Sequence, residues 1–169
     1  KSVAVIGASR QKNSAGQGIL KSLLKGGVFA SKTNLPFKGK IYPINPKAKK
    51  ILGLKCHNSI LDIKARIDLA IIVVPAKIVP IVMKQCAEKG IKGVIIVSAG
   101  FSEVGNHELE KQVFDIAKKA KIRIIGPNCL GVYNPEVGLY IGRSQSKKAG
   151  NFGAVLQSGG LAVNVAQLA

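Results

Sequence analysis

The chain has 169 residues, 47% of them hydrophobic, and sets 26 lysines and arginines against 8 aspartates and glutamates for a formal net charge of +18. This is enough apolar material for one packed domain and the opening of another, while the longest apolar runs, at 69–75 and 93–99, have strand length, not the length of a membrane helix. The charge calls for polyanionic partners, but aromatics at 5%, the lack of Trp and the lack of a basic helix interleaved with stacking residues argue against a dedicated nucleic-acid function.

The stretch "VAVIGASRQKNSAGQG" at 3–18 reads as a buried strand (2–7), a glycine-rich turn and a helix. That helix carries Ile19, Leu20, Leu23 and Leu24 at core spacing, with Gly26-Gly27 as its stop. A second strand at 40–44 ends in "NPK", and "ILGLKCHNSILDI" predicts a short extended piece and a one- or two-turn helix. "DLAIIVVP" is a third strand, apolar after its aspartate and therefore buried on both faces. Pro80 opens the next helix, whose inward stripe is Val79, Val82, Met83, Cys86 and Ala87, with Gly90 past its end.

"GVIIVSAG" is the fourth strand. Asn106 is placed as the cap of a helix with Glu108 and Glu110 early and Lys118, Lys119 and Lys121 late, a distribution that complements the helix dipole. Its core stripe is Leu109, Val113, Ile116, Ala117 and Ala120, and "IRIIGPN" is the fifth strand with its exit loop. From 131 to 150 the pattern loosens into turns with one extended stretch, "GLYIG"; "NFGAVLQSGGLAVNVAQLA" then restarts strand, glycine turn and helix. The alternation predicts an α/β fold, a Rossmann-like, doubly wound, mainly parallel sheet with helices on both faces over residues 1–150. Residues 151–169 are expected to begin a second, flavodoxin-like domain.

Ligands of such sheets bind beyond the carboxyl ends of the strands. Those ends carry Gly7-Ala8-Ser9, Asn45-Pro46-Lys47, Val74-Pro75, Ser98-Ala99-Gly100 and Gly126-Pro127-Asn128, a rim suited to an extended ligand. The first turn is a phosphate-binding candidate, because Gly7 permits a tight turn and Ser9 adds a hydroxyl before a helix N-terminus. Its glycines, Gly7, Gly16 and Gly18, do not keep the G-x-G-x-x-G spacing, and the longer loop between them carries Arg10 and Lys12. An NAD site wants an acid after the second strand, where this chain has Lys47, Lys49 and Lys50. Two ligands with a phosphate on the adenosine ribose remain open, NADP and coenzyme A.

These motifs resemble the CoA-binding domain of the NDP-forming acyl-CoA synthetases, the ADP-forming acetate–CoA ligases among them, and are similar to the α subunit of succinyl-CoA ligase. The resemblance runs the whole chain through "VAVIGAS", "GKIYPINPK", "ILGLKC", "IDLAIIVVP", "GVIIVSAGFSEVG", "RIIGPNCLGVYNP" and "AVLQSGG". It implies that Gly7, Ala8, Ser9 and Arg10 contact the CoA phosphates and Lys47 the phosphorylated adenosine end. Val74 and Pro75 pack near the adenine or pantetheine; Ser98, Ala99 and Asn128, with Cys129 beside them, line the pantetheine route, which "AGFSEVG" closes.

The reaction implied makes acyl-CoA, NDP and phosphate from acid, CoA and NTP, or the reverse, through acyl-phosphate and phosphohistidine intermediates. Its histidine, its ATP or ADP and its magnesium belong to domains beyond Ala169, so the chain itself is expected to bind CoA or acyl-CoA, hold no metal and carry no catalytic residue. The remainder of the ligase is the implied partner, within an oligomer and without a membrane. His57 and His107 lack the glycine-rich setting of the phosphorylated histidine and read as surface residues; Glu103 and Glu108 read as the only carboxylates near the mouth. Leu156 stands where the family usually has serine. Three cysteines, Cys56, Cys86 and Cys129, without metal-ligand spacing suit a reduced, cytoplasmic setting, and Cys86 falls on a core stripe. The chain starts at Lys1 without an initiator methionine and reads as a trimmed segment with no secretory signal. The competing readings are a stand-alone, non-catalytic CoA-binding module and an NADP-dependent oxidoreductase.

Overall fold

A computed structural model describes residues 1–26, 35–141 and 149–168. Five parallel strands form the central sheet: β1 (Ser2–Ile6), β2 (Lys40–Ile44), β5 (Leu69–Ile72), β6 (Gly93–Ile96) and β7 (Arg123–Ile125), in the spatial order β2-β1-β5-β6-β7. The order runs outward both ways from β1 and β5, the arrangement of a doubly wound sheet with a ligand crevice beside the first strand. β1 is buried along its whole length because helices cover it on both sides.

Between the strands lie α1 (Ala15–Lys25), α2 (Val79–Glu88) and α3 (His107–Ala120). One face of the sheet packs Ala4, Ile6, Ala70, Ile72, Val94 and Ile96 against α2 and α3. The other packs Val3, Val5, Ile71 and Ile95 under Ile19, Leu20 and Leu23 of α1. The predicted stripe of α2 is buried at Val79, Val82, Met83 and Cys86, with Ala87 half-buried, and burial pushes the Cys86 thiol up to about 12, so it packs as an apolar group. In α3 only Val113 and Ala117 of the predicted stripe are fully buried; Leu109, Ile116 and Ala120 pack at its margin.

Departures from the sequence reading are local, and two of them, at Ser59 and Asn106, come from side-chain hydrogen bonding to nearby backbone. The extended piece after β2 is a hairpin, β3 (Lys50–Ile51) and β4 (Leu54–Lys55), turned by Leu52 and Gly53 at φ 46° and 85°. The helix after it is a single 3-10 turn, Ile60–Asp62, closed by a reciprocal Ser59–Asp62 capping box. Ahead of Pro80, a 3-10 turn at Ala76–Ile78 leads into α2. Asn106 occupies the cap position of α3 but caps nothing with its side chain, whose Nδ2 donates to the Gly100 carbonyl at 2.9 Å instead. α1 is capped by Ser14, whose Oγ accepts from the Gln17 N–H at 3.3 Å and donates to the Gln11 carbonyl at 2.8 Å. Ser14→Ala is expected to cost about 1 kcal/mol in urea denaturation, the usual worth of such a cap.

α1 stops at Gly26 in the left-handed conformation; Gly27 lies outside the described residues. "GLYIG" lies in a hairpin of β8 (Tyr133–Asn134) and β9 (Leu139–Tyr140), with Gly142 outside the described residues. This hairpin packs Leu139 and Ile141 into the core beneath α1. The strand expected at the restart is not formed. Residues 151–158 are exposed and join no ladder, Val155 fully so, before α4 (Gly159–Leu168) begins. A strand exists through its partner, and Phe152, Ala154 and Val155 meet none among the described residues.

Candidate functional site

The site grows from the turn between β1 and α1. Gly7 takes φ 94°, and its N–H still reaches the Ile44 carbonyl at 3.0 Å, so the chain turns sharply while remaining tied to β2. A Cβ at Gly7 would strike the Val73 carbonyl, and one at Gly16 would strike the carbonyl of Gly7 itself. These two glycines let the turn lie between the start of α1 and the end of β5 with no side chain between. Within the loop, Ser9 Oγ accepts from Gln11 N–H at 3.0 Å, and the buried Gln17 donates Nε2 to the Arg10 carbonyl at 3.0 Å. Among the described residues, the N–H groups of Ala8, Ser9 and Arg10 donate to no protein acceptor. Ala8 is fully buried, against the expectation that it contacts phosphate, so the half-buried Ser9 and the exposed Arg10 are left to offer N–H groups to an anion ahead of the helix N-terminus.

The end of β2 is fastened to this turn through Asn45. Its Nδ2 donates to the Ala8 carbonyl at 2.7 Å, and its Oδ1 accepts from the Lys47 N–H at 2.8 Å. Arg10 closes the junction by donating to the Lys47 carbonyl at 3.4 Å. The Arg10 guanidinium therefore lies against the main chain of the exposed Lys47, and Lys12, Lys49 and Lys50 are exposed on the same two loops or next to them in the chain. No carboxylate pairs with these cations among the described residues, whose ion pairs lie elsewhere. Unneutralised cations gathered on adjoining loops attract phosphate.

Ser98 organises the other half of the rim. Its hydroxyl accepts from the Val74 N–H at 3.1 Å and donates to the Ile72 carbonyl at 3.5 Å, while its own carbonyl accepts from Asn128 N–H at 2.9 Å. Ser98 thus joins the ends of β5, β6 and the loop after β7. Its hydroxyl positions backbone. Asn128 sits at φ 51° with its side chain exposed, and Pro75 and Ala99 are exposed on either side of Val74. Since Val73 N–H donates to Ile6 at 2.8 Å and Val74 flanks Gly7, the two halves form one continuous rim.

The predicted residues therefore fall into two tied groups, Gly7, Ala8, Ser9 and Arg10 with Lys47, and Val74, Pro75, Ser98 and Ala99 with Asn128. Sequence reasoning missed Asn45, Gln17 and Ser14. Asparagine ahead of a proline at a strand end is an Asx-turn signal, and it was legible. The loop expected to close the route is internally fixed. Phe101 is fully buried, and Glu103 accepts from the N–H groups of Gly100 at 2.5 Å and Phe101 at 3.1 Å. These bonds, Gly100's foremost, hold its carboxyl below the usual range. Glu103 and Glu108 are not the only carboxylates there: Glu110 accepts from Ser102 Oγ at 2.7 Å and from its N–H at 3.1 Å. A helical register, Glu110 one turn into α3, brings it back over the loop.

His57 is half-buried, paired to the end of β2 and 6.1 Å from the Tyr42 ring, while His107 is exposed in the first turn of α3. Cys129 is half-buried with its thiol directed at the Ile96 carbonyl, 3.3 Å away, and burial raises its pKa. Among the described residues no cluster of ligating side chains could hold a metal, and no helix is long and apolar enough to cross a membrane.

A family model described as a CoA binding domain matches residues 1–135. The chain belongs to the CoA-binding domain family. It is 52% identical over 139 residues to the ADP-forming acetate–CoA ligase of Methanocaldococcus jannaschii, covering 82% of this chain and 18% of that protein. It is 53% identical over 163 residues to ADP-forming acetate–CoA ligase II of Archaeoglobus fulgidus, covering 94% and 23%. The chain therefore spans about a fifth of the length of these curated relatives. Among solved structures, the dinucleotide-forming acetyl-coenzyme A synthetase 1 of Ca. Korarchaeum cryptofilum, in complex with phosphate and ADP, superposes with a TM-score of 0.78. It is 34% identical and is matched over 99% of this chain and 34% of its own.

Proposed function

We propose that this chain is the CoA-binding portion of an acid–CoA ligase of the ADP-forming type. The observation that carries the reading is the Arg10–Lys47 pair, fixed by Asn45 beside the free amides of Ser9 and Arg10. Coenzyme A presents a diphosphate and a ribose phosphate at one end and a flexible thiol arm at the other. The amides of Ser9 and Arg10 hold the diphosphate; Arg10 and Lys47 take the ribose phosphate. Val74 and Pro75 pack against the adenine or pantetheine, and the arm runs past Ser98, Ala99 and Asn128 toward the loop held by Phe101.

The full enzyme would interconvert acyl-CoA, ADP and phosphate with acid, CoA and ATP, passing through an acyl phosphate and a phosphohistidine. The histidine, the nucleotide and magnesium belong in this reading to other domains or subunits of a larger ligase assembly, and this chain supplies no catalytic residue. Residues 1–150 are the CoA-binding domain and 151–169 the opening of the next unit. The exposed, unpaired backbone of 151–158 supports that division.

Calorimetric titration tests the reading. The protein is expected to bind CoA about tenfold more tightly than dephospho-CoA, with affinity falling as salt rises. Lys47→Ala removes most of that preference while leaving dephospho-CoA binding within about twofold. Equal affinity for CoA and dephospho-CoA in the parent protein would overturn the lysine assignment. NADPH binding tighter than CoA would favour the oxidoreductase reading instead.

A further inference from the structure

A second basic feature lies at the opposite pole of the sheet, where the five strands begin. An exposed cation stands at or just before each start: Lys40 at β2, Lys1 at β1, Arg66 ahead of β5, Lys92 ahead of β6 and Arg123 at β7. They are lateral neighbours by direct bonding, since Lys40 N–H donates to the Lys1 carbonyl at 3.0 Å and Arg123 N–H to the Lys92 carbonyl at 2.9 Å. With strands spaced about 4.8 Å apart, the five starts span roughly 19 Å. Lysines at the ends of α1 and α3 add to this pole, and there the helix dipole accounts for them. The strand starts carry no such dipole, so the row is not explained by it. Carboxylates nearby are few: Asp68, Glu88 and, beside Lys38, Glu136.

Asp68 shows what the row accepts. Its carboxylate takes the Ser2 N–H at 2.9 Å, the Ser2 hydroxyl at 3.2 Å and Arg66 Nε at 3.5 Å. A carboxylate is thus already seated at the start of the central strand pair. Bases would want aromatic platforms, yet the exposed aromatics among the described residues, Phe114 and Phe152, lie in the middle of α3 and beyond the sheet. A lipid surface would want an apolar anchor, and none of the first residues of the five strands is an exposed large apolar side chain. Lysine outnumbers arginine three to two in the row, which suits point contacts to carboxylates over bidentate forks on phosphate.

We infer that this row is a docking edge for an acidic polypeptide segment. The edge is separate from the rim and does not depend on the CoA reading.

The test uses fluorescence anisotropy with a labelled twelve-residue poly-glutamate peptide, a twelve-nucleotide oligo-dT and vesicles containing phosphatidylserine. The peptide is expected to bind most tightly. Lys92→Glu/Arg123→Glu weakens it about tenfold, whereas Lys84→Glu/Lys111→Glu, an equal charge change at exposed sites in the middle of α2 and α3, weakens it less than twofold. The milder Lys92→Gln/Arg123→Gln variant gives an intermediate loss, and CoA affinity stays unchanged in all three. Equal loss in the row and control variants would reduce the effect to net charge and overturn the inference. Tighter binding of the oligonucleotide or the vesicles would overturn it in favour of those partners.

Discussion

Gly16→Ala is expected to destabilise the protein by about 3 kcal/mol or more and to weaken CoA binding beyond tenfold. The usual rule runs the other way, since alanine in a helix is favoured over glycine by roughly 1 kcal/mol. Here the added methyl would meet the Gly7 carbonyl oxygen and, at 3.3 Å, the Ala8 Cα, both backbone atoms of the turn that forms the anion site. Neither can swing aside, because Gly7 is bonded to β2 and wedged against Val73. Relief requires either displacing the start of α1 or opening the turn. Gly18, two residues on in the same helix, is the internal control. Nothing lies within 4 Å of a methyl there, so Gly18→Ala should be neutral or stabilising by up to about 1 kcal/mol. Urea denaturation of the pair separates a clash from a propensity effect. Equal stability of the two variants would mean that the close approach of α1 to the turn is not required.

Asn45→Asp carries the largest expected effect on binding among single-atom changes at the rim. The substitution keeps the acceptor for Lys47 N–H and removes the donor to the Ala8 carbonyl, setting a carboxylate against that oxygen. Losing one buried hydrogen bond and adding repulsion costs about 2–3 kcal/mol. The new charge also lies beside Arg10 and Lys47, where it neutralises the cations that the ribose phosphate would use. CoA affinity should fall about 30- to 100-fold, and dephospho-CoA affinity less. Asn45→Ser, shorter but uncharged, should lose only the positioning part. If Asn45→Asp instead bound CoA as the parent does, the junction between the two loops would have no part in the site.

The order of elements was legible because it rests on long periodic signals. The run "DLAIIVVP" and the stripe Val79, Val82, Met83, Cys86 each have a single period, and β2 falls on 40–44 as read. Features set by one side chain choosing between local partners were not legible. Asn106 sits where a cap belongs and reaches back to Gly100 instead, because the loop before it curls within range. Ser14 caps α1, deep inside what reads as a long basic loop. Phe152, Ala154 and Val155 have strand character without a ladder, a case where propensity without a neighbour decides nothing. For the site, the lysines and the first turn stood out by type, whereas the bonds from Asn45 to Ala8, from Gln17 to Arg10 and between Ser98 and Val74 are ones that only three-dimensional proximity discloses.

The loop between β1 and α1 is held by bonds within the protein, from Ser9, Ser14, Gln17 and Asn45. Its conformational entropy is therefore already lost on folding, and an incoming anion has no chain to freeze. Capture of the phosphate end becomes an encounter with a preformed loop, drawn together by charge, with an association rate that falls as ionic strength rises. Differences among ligands then appear as residence time: each phosphate kept or removed changes how long the complex lasts far more than how quickly it forms.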